Sequence, residues 1–346
     1  MTDGAALTTE ALAQRIGAIF RAHGLNAVQA EGIAGVIAAA ERDACISHGI
    51  YRIEGVLRTL RAKKVLGDAL PEVCADDGTA IVRVDARGGG FSNPAFALGL
   101  PLLAERARAF GLAALVINEG THFAALWPEV KSVAACGLAG LALCPSYATV
   151  APAGGRTALL GTNRLAFGWP RPGGLPYVFD FATSVAARGE IELRRRAGES
   201  LPEGWALDAA GAPTTVPEEA LAGAMLPFGG HKGSAISTMI ELLVGIMIGE
   251  LISPEALAHL GTTALSPRHG EVILAFSPEA FAGHRAGDPF ARGERLFEAI
   301  LDQGARLPSE RCFRARAEAE RTGIVLSGAE VALLERLLAE AGERGD

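Results

Sequence analysis

Hydrophobic positions along this chain switch between two periods. From Thr8 or Thr9 to about Gly24, and again from Asn26 to about Ala44, apolar residues recur at helical spacing. Each run is preceded by a side chain able to cap it. Ser47 is placed to open a third helix. Residues 80–85 (AIVRVD) alternate like a half-buried strand, 94–110 return to helical spacing, and Gly111 ends that run. LAALVIN (112–118) and LAGLALC (138–144) read as strands, with a helix at 126–136 between them. From 145 to 179 turn residues dominate, with short β-like runs in LAFGW and PYVFD. Helices are expected at about 183–196, 231–250, 288–303, 308–321 and 328–342, and a strand at 271–276. The pattern predicts an α/β protein in which a helical layer from both chain ends wraps a sheet-rich middle.

Composition narrows the function. The chain has 346 residues, 49% hydrophobic and 21% charged, which suits a globular protein with a large core. Net charge is −7 with no basic block, which argues against nucleic acid and anionic membranes as partners. The longest apolar run, 235–252, contains Glu241 and Glu250 and is followed by Ser253 and Pro254, so it reads as a buried helix and not a membrane span. The start, MTDGAALTTEALAQ, lacks a basic segment and an apolar core, which predicts no secretory leader. The five cysteines (45, 74, 136, 144, 312) form no CxxC pair. They are expected to be buried, reduced thiols in a cytoplasmic protein, and no metal site is expected.

Candidate chemistry starts at ERDACISHGIYRIEGVLR (41–58). If the chain is helical from Ser47, His48 and Arg52 share a face. One titrates near neutrality, and the other presents a fork that matches a carboxylate. By itself this stretch is more simply a surface helix start. THFAALW (121–127) follows a strand, and its His122 and following amides could meet a ligand at a helix N-terminus. The turn GTN (161–163) offers a hydroxyl and an amide. In VFDFATSVAARGEIEL (178–193), Asp180 ends a strand, and Glu190 would ordinarily be a solvated acid. LPFGGHKGSAISTMIELL (226–243) sets glycines, His231 and Lys232 ahead of an apolar helix, a combination suited to pyrophosphate. It lacks P-loop spacing. The glycine cluster in VRVDARGGGFSNPAF lacks the G-x-G-x-x-G spacing of a dinucleotide fingerprint and is better read as a turn.

Taken in order, SHGIYR (47–52), HFAALWP (122–128), GTN (161–163), FDFATS (179–184), EGWALDAAGAPTT (203–215) and GGHKG (229–233) resemble the malate/L-lactate dehydrogenase-like oxidoreductases over nearly the whole chain. HFAALWP is similar to the subgroup that reduces Δ1-piperideine-2-carboxylate and Δ1-pyrroline-2-carboxylate. The resemblance implies a non-Rossmann cofactor domain on a mixed or antiparallel sheet (118–299). It implies a second, helix-rich domain from both chain ends (1–117 plus 300–346), and a homodimer. It implies His48 as the catalytic proton donor, supported by Ser47 and Glu190, with Arg52 and Thr162 on the substrate carboxylate. Cofactor contacts are implied at His122, Phe123, Ala124, Ala125, Leu126, Asp180, Phe181, Ala182, His231, Lys232 and the RLPSER loop of Arg306, Leu307, Pro308, Ser309, Glu310 and Arg311. The cofactor is expected to be NADPH, with NADH possible. The partner is expected to be a small cyclic imino acid.

Hydroxy-acid members commonly read ARGK where this chain has ARGE at 187–190. Beside His48, Glu190 would raise the imidazole pKa and favour an iminium substrate. The subgroup carries Asp there, one methylene shorter, which leaves the role of Glu190 open. Three other readings stand beside this one, the third being a non-catalytic binding module. The first is a malate, lactate or ureidoglycolate-type dehydrogenase. The second is a hydrolase using Ser47, His48 and Glu190, which neighbouring helical positions about 100° apart would serve poorly.

Overall fold

Both expected caps start the chain's first helices. Thr8 Oγ1 accepts from Ala11 N at 3.1 Å ahead of α1 (Thr9–Ala22). Asn26 Oδ1 accepts from Gln29 N at 2.9 Å ahead of α2 (Ala27–Arg42). The computed structural model describes residues 6–74, 77–123, 125–284 and 287–342. The apolar stripes of the two helices meet through Leu12, Ile16 and Ile19 against Ile33 and Ile37, all fully buried.

Beyond α2 the expected straight helix from Ser47 does not form. Two 3-10 turns, Ile46–His48 and Ile50–Arg52, flank Gly49 and lead into α3 (Ile53–Arg61). The cause is Glu41. Its carboxylate accepts from Ile50 N at 2.6 Å and fills the space that a side chain at position 49 would occupy.

The middle of the chain builds the sheet. Its elements are β1 (Glu72–Val73), β2 (Ile81–Asp85), α4 (Ser92–Phe110), β3 (Leu112–Thr121), α5 (Trp127–Ala135), β4 (Ala139–Cys144), β5 (Arg164–Trp169) and β6 (Tyr177–Ala182). Next come α6 (Arg188–Ala197), β7 (Ala206–Leu207), β8 (Pro213–Thr214), α7 (Pro217–Ala222), β9 (Ala224–Met225), α8 (His231–Ile240), α9 (Ser253–Leu260) and β10 (Arg268–Phe276). The chain closes with α10 (Pro278–Ala282), α11 (Pro289–Leu301), α12 (Glu310–Thr322) and α13 (Gly328–Gly342).

Seven strands form one sheet in the order β1-β2-β3-β10-β4-β5-β6. The β2–β3 pair is parallel and the other pairs are antiparallel, so the sheet is mixed, as expected. Alternation along β3 feeds two cores. Leu115 and Ile117 pack with Leu103, Val130 and Val133 beneath α4 and α5, whereas Val116 packs with Leu143, Val272, Ile240 and Val244 on the other face. A three-stranded sheet, β8-β7-β9, stands apart. The glycine cluster is indeed a turn, with φ +73° at Gly88 and +115° at Gly89.

The helical layer does join both chain ends. Leu7 bridges Ile324, and Leu334 and Leu337 of α13 enter the core of α1 and α2. The expected division at 117/118 falls inside β3, and β2 and most of α4 pack on the sheet, with Pro94 of α4 against Gly32 of α2. The helix expected from 183 begins at Arg188. The one expected over 231–250 ends as α8 at Ile240 and passes into a π-helical turn, Glu241–Ile246. There the Glu241 carboxylate turns inward to accept from Asn163 Nδ2 at 2.7 Å and Ser253 N at 2.9 Å.

Candidate active site

A cavity of about 970 Å³ opens between the helical layer and the sheet. Its wall brings together Ser47, His48, Arg52, His122, Thr162 and Asp180, which lie far apart in sequence.

The broken turn at Gly49 sets the first pair. Ser47 Oγ lies 3.0 Å from His48 Nδ1, a contact that a continuous α-helix would not make. Arg52 Nε donates to the Ser47 carbonyl at 2.9 Å, which fixes the guanidinium beside the imidazole. His48 Nε2 is sealed from solvent and has no partner in the chain. Burial, Arg164 and Arg52, in that order, hold the His48 pKa well below its usual 6.5. Burial, followed by Arg164, lowers the Arg52 guanidinium to about 10, so it stays charged at neutral pH.

This corrects the expectation for Glu190. Glu190 is exposed on α6, does not line the cavity, and has its carboxylate 3.9 Å from Arg194 one turn along. Within this chain the charges that reach His48 are guanidinium cations, so its pKa is lowered and not raised. The same placement leaves the Ser47–His48 contact without the third member of a hydrolase triad.

Thr162 lines the cavity from a turn that Asn163 anchors. Asn163 Oδ1 accepts from Ser146 N at 3.0 Å, and its Nδ2 donates to Glu241. A side chain at Gly161 would collide with Asn163 Oδ1. Asp180, within β6, accepts from Leu126 N at 2.7 Å and Trp127 N at 2.9 Å, and so caps α5. Burial raises its pKa against the pull of Arg164 and these two amides.

Phe123, Ala125, Phe181, Ala182 and Ser309 also line the cavity. Ala124 lies outside the described residues. Leu126 is represented only by its amide on Asp180. Ser309 has φ +66° and donates from Oγ to the Val178 carbonyl at 2.8 Å. Arg306, Leu307, Pro308, Glu310 and Arg311 stand behind it and do not reach the cavity wall, and the Glu310 carboxylate accepts from Leu307 N at 2.9 Å. His231 and Lys232 are exposed at the start of α8. His231 lines a separate, shallow depression with Ser234, Thr238 and Met239. One contact links that segment to the main cavity: the Phe228 ring meets Phe181 edge-on at 5.6 Å.

Sequence reasoning missed Arg164, Tyr147, Arg188 and His269, all on the cavity wall. Arg164 directly follows GTN, and Arg188 lies inside ARGE, so both sat within segments already singled out. Tyr147 Oη donates to the Thr263 carbonyl at 2.9 Å, and Arg188 donates to Thr263 Oγ1 at 3.2 Å. A buried group behind the wall was also missed. His122, Glu129 and Glu271 are each 2% exposed or less, and one ligand-type atom from each lies within 4.8 Å of the others. Asn93 Nδ2 reaches Glu129 at 3.4 Å. Burial pushes the pKa of both acids up, to about 8 for Glu271, and each acid's charge disfavours the other's ionisation. Burial, with Arg164 second, keeps His122 neutral.

The cavity suits a small anion held by guanidinium groups, beside an imidazole with one free nitrogen, at the rim of a mixed sheet. A profile of the malate/L-lactate dehydrogenase family matches residues 7–335. The chain belongs to that family. A Delta(1)-pyrroline-2-carboxylate reductase of Agrobacterium fabrum is 70% identical over 338 residues, 98% of either chain. A Delta(1)-pyrroline-2-carboxylate/Delta(1)-piperideine-2-carboxylate reductase of Pseudomonas aeruginosa is 51% identical over 89% of this chain and 92% of its own. The solved structure of a delta1-piperideine-2-carboxylate reductase from Pseudomonas syringae is 42% identical and superposes with a TM-score of 0.90, covering 96% of this chain and 99% of that one. Membership of a dehydrogenase family implies a nicotinamide cofactor. The cavity fits one. Its volume falls within the roughly 300–1,000 Å³ of small-molecule sites, and His48 presents a buried nitrogen with no hydrogen-bond partner in the chain.

Proposed function

We propose that this protein uses NADPH to reduce a cyclic imine 2-carboxylate, Δ1-pyrroline-2-carboxylate or Δ1-piperideine-2-carboxylate, to L-proline or L-pipecolate. The observation that carries the reading is His48 Nε2, sealed in the cavity wall and set in the field of Arg52 and Arg164. The reductase names of the relatives support the imine over a keto acid. Glu190 gives no electrostatic support for that choice, because it points away.

Arg52 holds the substrate carboxylate through its fork, and Thr162 adds a hydrogen bond. The carboxylate then offsets the cationic field that keeps the free imidazole neutral. His48, oriented by Ser47, takes up a proton once the substrate is bound and passes it from Nε2 to the imine nitrogen. A nicotinamide, when bound, would supply the hydride for C2. Phe181 and Ala182 border the cofactor beside the cavity. The Phe181–Phe228 contact leads on to the glycine-flanked start of α8, where His231 and Lys232 would hold the cofactor phosphates. Residues 306–311 act through Ser309. The helical layer of both chain ends carries His48 and Arg52, and the sheet carries the cofactor side. The protein works as a homodimer in the cytoplasm. Met239, Leu242, Ile246 and Met247 are 38–63% exposed around the π-helical turn, and they form the apolar patch that a second copy covers. Among the described residues no helix is long and apolar enough to cross a membrane.

The test is NADPH and NADH oxidation with both cyclic imines and with pyruvate. The expected result is kcat/KM at least about tenfold higher for a cyclic imine with NADPH than for pyruvate with either cofactor. Equal or better turnover of pyruvate would return the protein to the hydroxy-acid dehydrogenases.

A further inference from the structure

Two cysteines face each other across the cavity rim. Cys45 lies just after α2, two residues before Ser47 and three before His48. Cys312 lies in the first turn of α12. Their Sγ atoms are 3.6 Å apart, and both residues line the cavity. The expectation of five buried thiols fails at this point, since both residues are half-buried and only Cys144 is fully buried. The backbones around the pair are already tied together, because Arg316 of α12 donates from Nε to Asp43 Oδ1 at 2.9 Å.

We propose that Cys45 and Cys312 are a peroxide-reactive pair whose oxidation to a disulfide distorts the Ser47–His48 turn and stops turnover. This goes beyond the reading of the substrate and does not depend on it.

The chemistry follows from the surroundings. Burial and Asp43 oppose a thiolate at Cys312, whereas Arg311, Arg316 and its place in the first turn of a helix favour one. The two sulfurs lie within hydrogen-bond distance, and the Cys45 thiol also reaches the Asp43 carbonyl at 3.7 Å. With the contact between the sulfurs as the largest cause, Cys312 titrates at about 6, whereas Cys45 is held protonated. Cys312 is therefore the nucleophile and Cys45 the resolving thiol. The Cys312 thiolate attacks hydrogen peroxide. An S–O bond forms, the O–O bond breaks, and hydroxide leaves to become water, giving a sulfenic acid. The Cys45 thiol then gives up its proton and attacks the Cys312 sulfur. The S–S bond forms, the S–O bond breaks, and a second water leaves. Two thiols lose two electrons in all, and peroxide gains them. The two sulfurs have only to close from contact distance to bond distance. That draws residue 45 towards α12 and pulls on a turn whose 3.0 Å Ser47–His48 contact orients the imidazole.

The experiment treats the reduced full-length protein with sub-stoichiometric to excess hydrogen peroxide. Intact mass, non-reducing peptide maps and turnover are then followed. The expected result is a loss of two hydrogens per chain, a crosslinked peptide joining Cys45 to Cys312, and a fall in turnover of tenfold or more that dithiothreitol reverses. In Cys45→Ser, dimedone should trap a sulfenic acid on Cys312. In Cys312→Ser, no crosslink should form and peroxide should leave turnover unchanged. A crosslink between other cysteines, dimedone labelling at Cys45 first, or no mass change would overturn the pair. The Cys45–Cys312 crosslink with full turnover would overturn its hold on the active site.

Discussion

At the scale of single residues, the site is governed by two guanidiniums and one imidazole. In the free protein the pKa of His48 is depressed, and a bound carboxylate relieves the cause. The pH profile of kcat, which reports the complex, should therefore break at a higher pH than that of kcat/KM, which reports the free enzyme. Reduction should fall as pH rises through each break, because the proton donor is lost. Coincident breaks would mean that substrate binding does not tune the imidazole. His48→Ala should cost on the order of 10²–10⁴ in turnover. Glu190→Gln should leave both breaks where they are, since its carboxylate lies by Arg194 on the protein surface. Arg52→Lys keeps a charge but loses the fork and the bond to the Ser47 carbonyl. Substrate KM should rise by about 10- to 100-fold, the usual worth of a charge-assisted hydrogen bond. An unchanged KM would place the carboxylate elsewhere.

At the scale of elements, a strand holds a helix start in place. Asp180 within β6 accepts both leading amides of α5, and so pins the loop after β3 that carries His122 and Phe123. Asp180→Ala should destabilise the protein by about 1–2 kcal/mol, as cap losses do, and should raise the cofactor KM. Asp180→Asn keeps an acceptor and should recover part of the stability in thermal denaturation. A cofactor KM unmoved by both would confine Asp180 to capping. The elements also show what was legible beforehand. The caps at Thr8 and Asn26, and the alternation in β2, β3 and β4, are local signals, and they hold. The break at Gly49 was not readable, because its cause is Glu41 on the previous helix. β7, β8 and β9 have two residues each, too few to show a period. His48 and Arg52 were readable as candidates because they share one short stretch. Arg164 and Tyr147 join them only through the sheet, and Glu190 looked equivalent in sequence while the fold turns it outward.

At the scale of the whole molecule, the buried acids link stability to pH. Glu271 has its pKa raised from 4.5 to about 8 by burial, so the folded chain binds a proton that the unfolded chain releases. Its contribution is fully present below pH 4.5 and is lost as pH rises through about 8. Above pH 6.5, where the buried His48, His122 and His269 no longer pull the other way, thermal midpoints should therefore decline. Glu271→Gln should make the slope shallower, since it removes one buried acid and the charge that raises Glu129. A slope as steep as the parent's would show that other groups set it.

The position of β10 has a consequence for synthesis. Residues 268–276 pair with β3 on one side and β4 on the other, so the centre of the sheet is the last strand to be made. While the ribosome translates the intervening residues, β3 and β4 each wait with an unpaired, apolar edge that invites association with other nascent chains. Chains truncated before residue 268 should depend on chaperones to stay in solution, and those released after 276 should not.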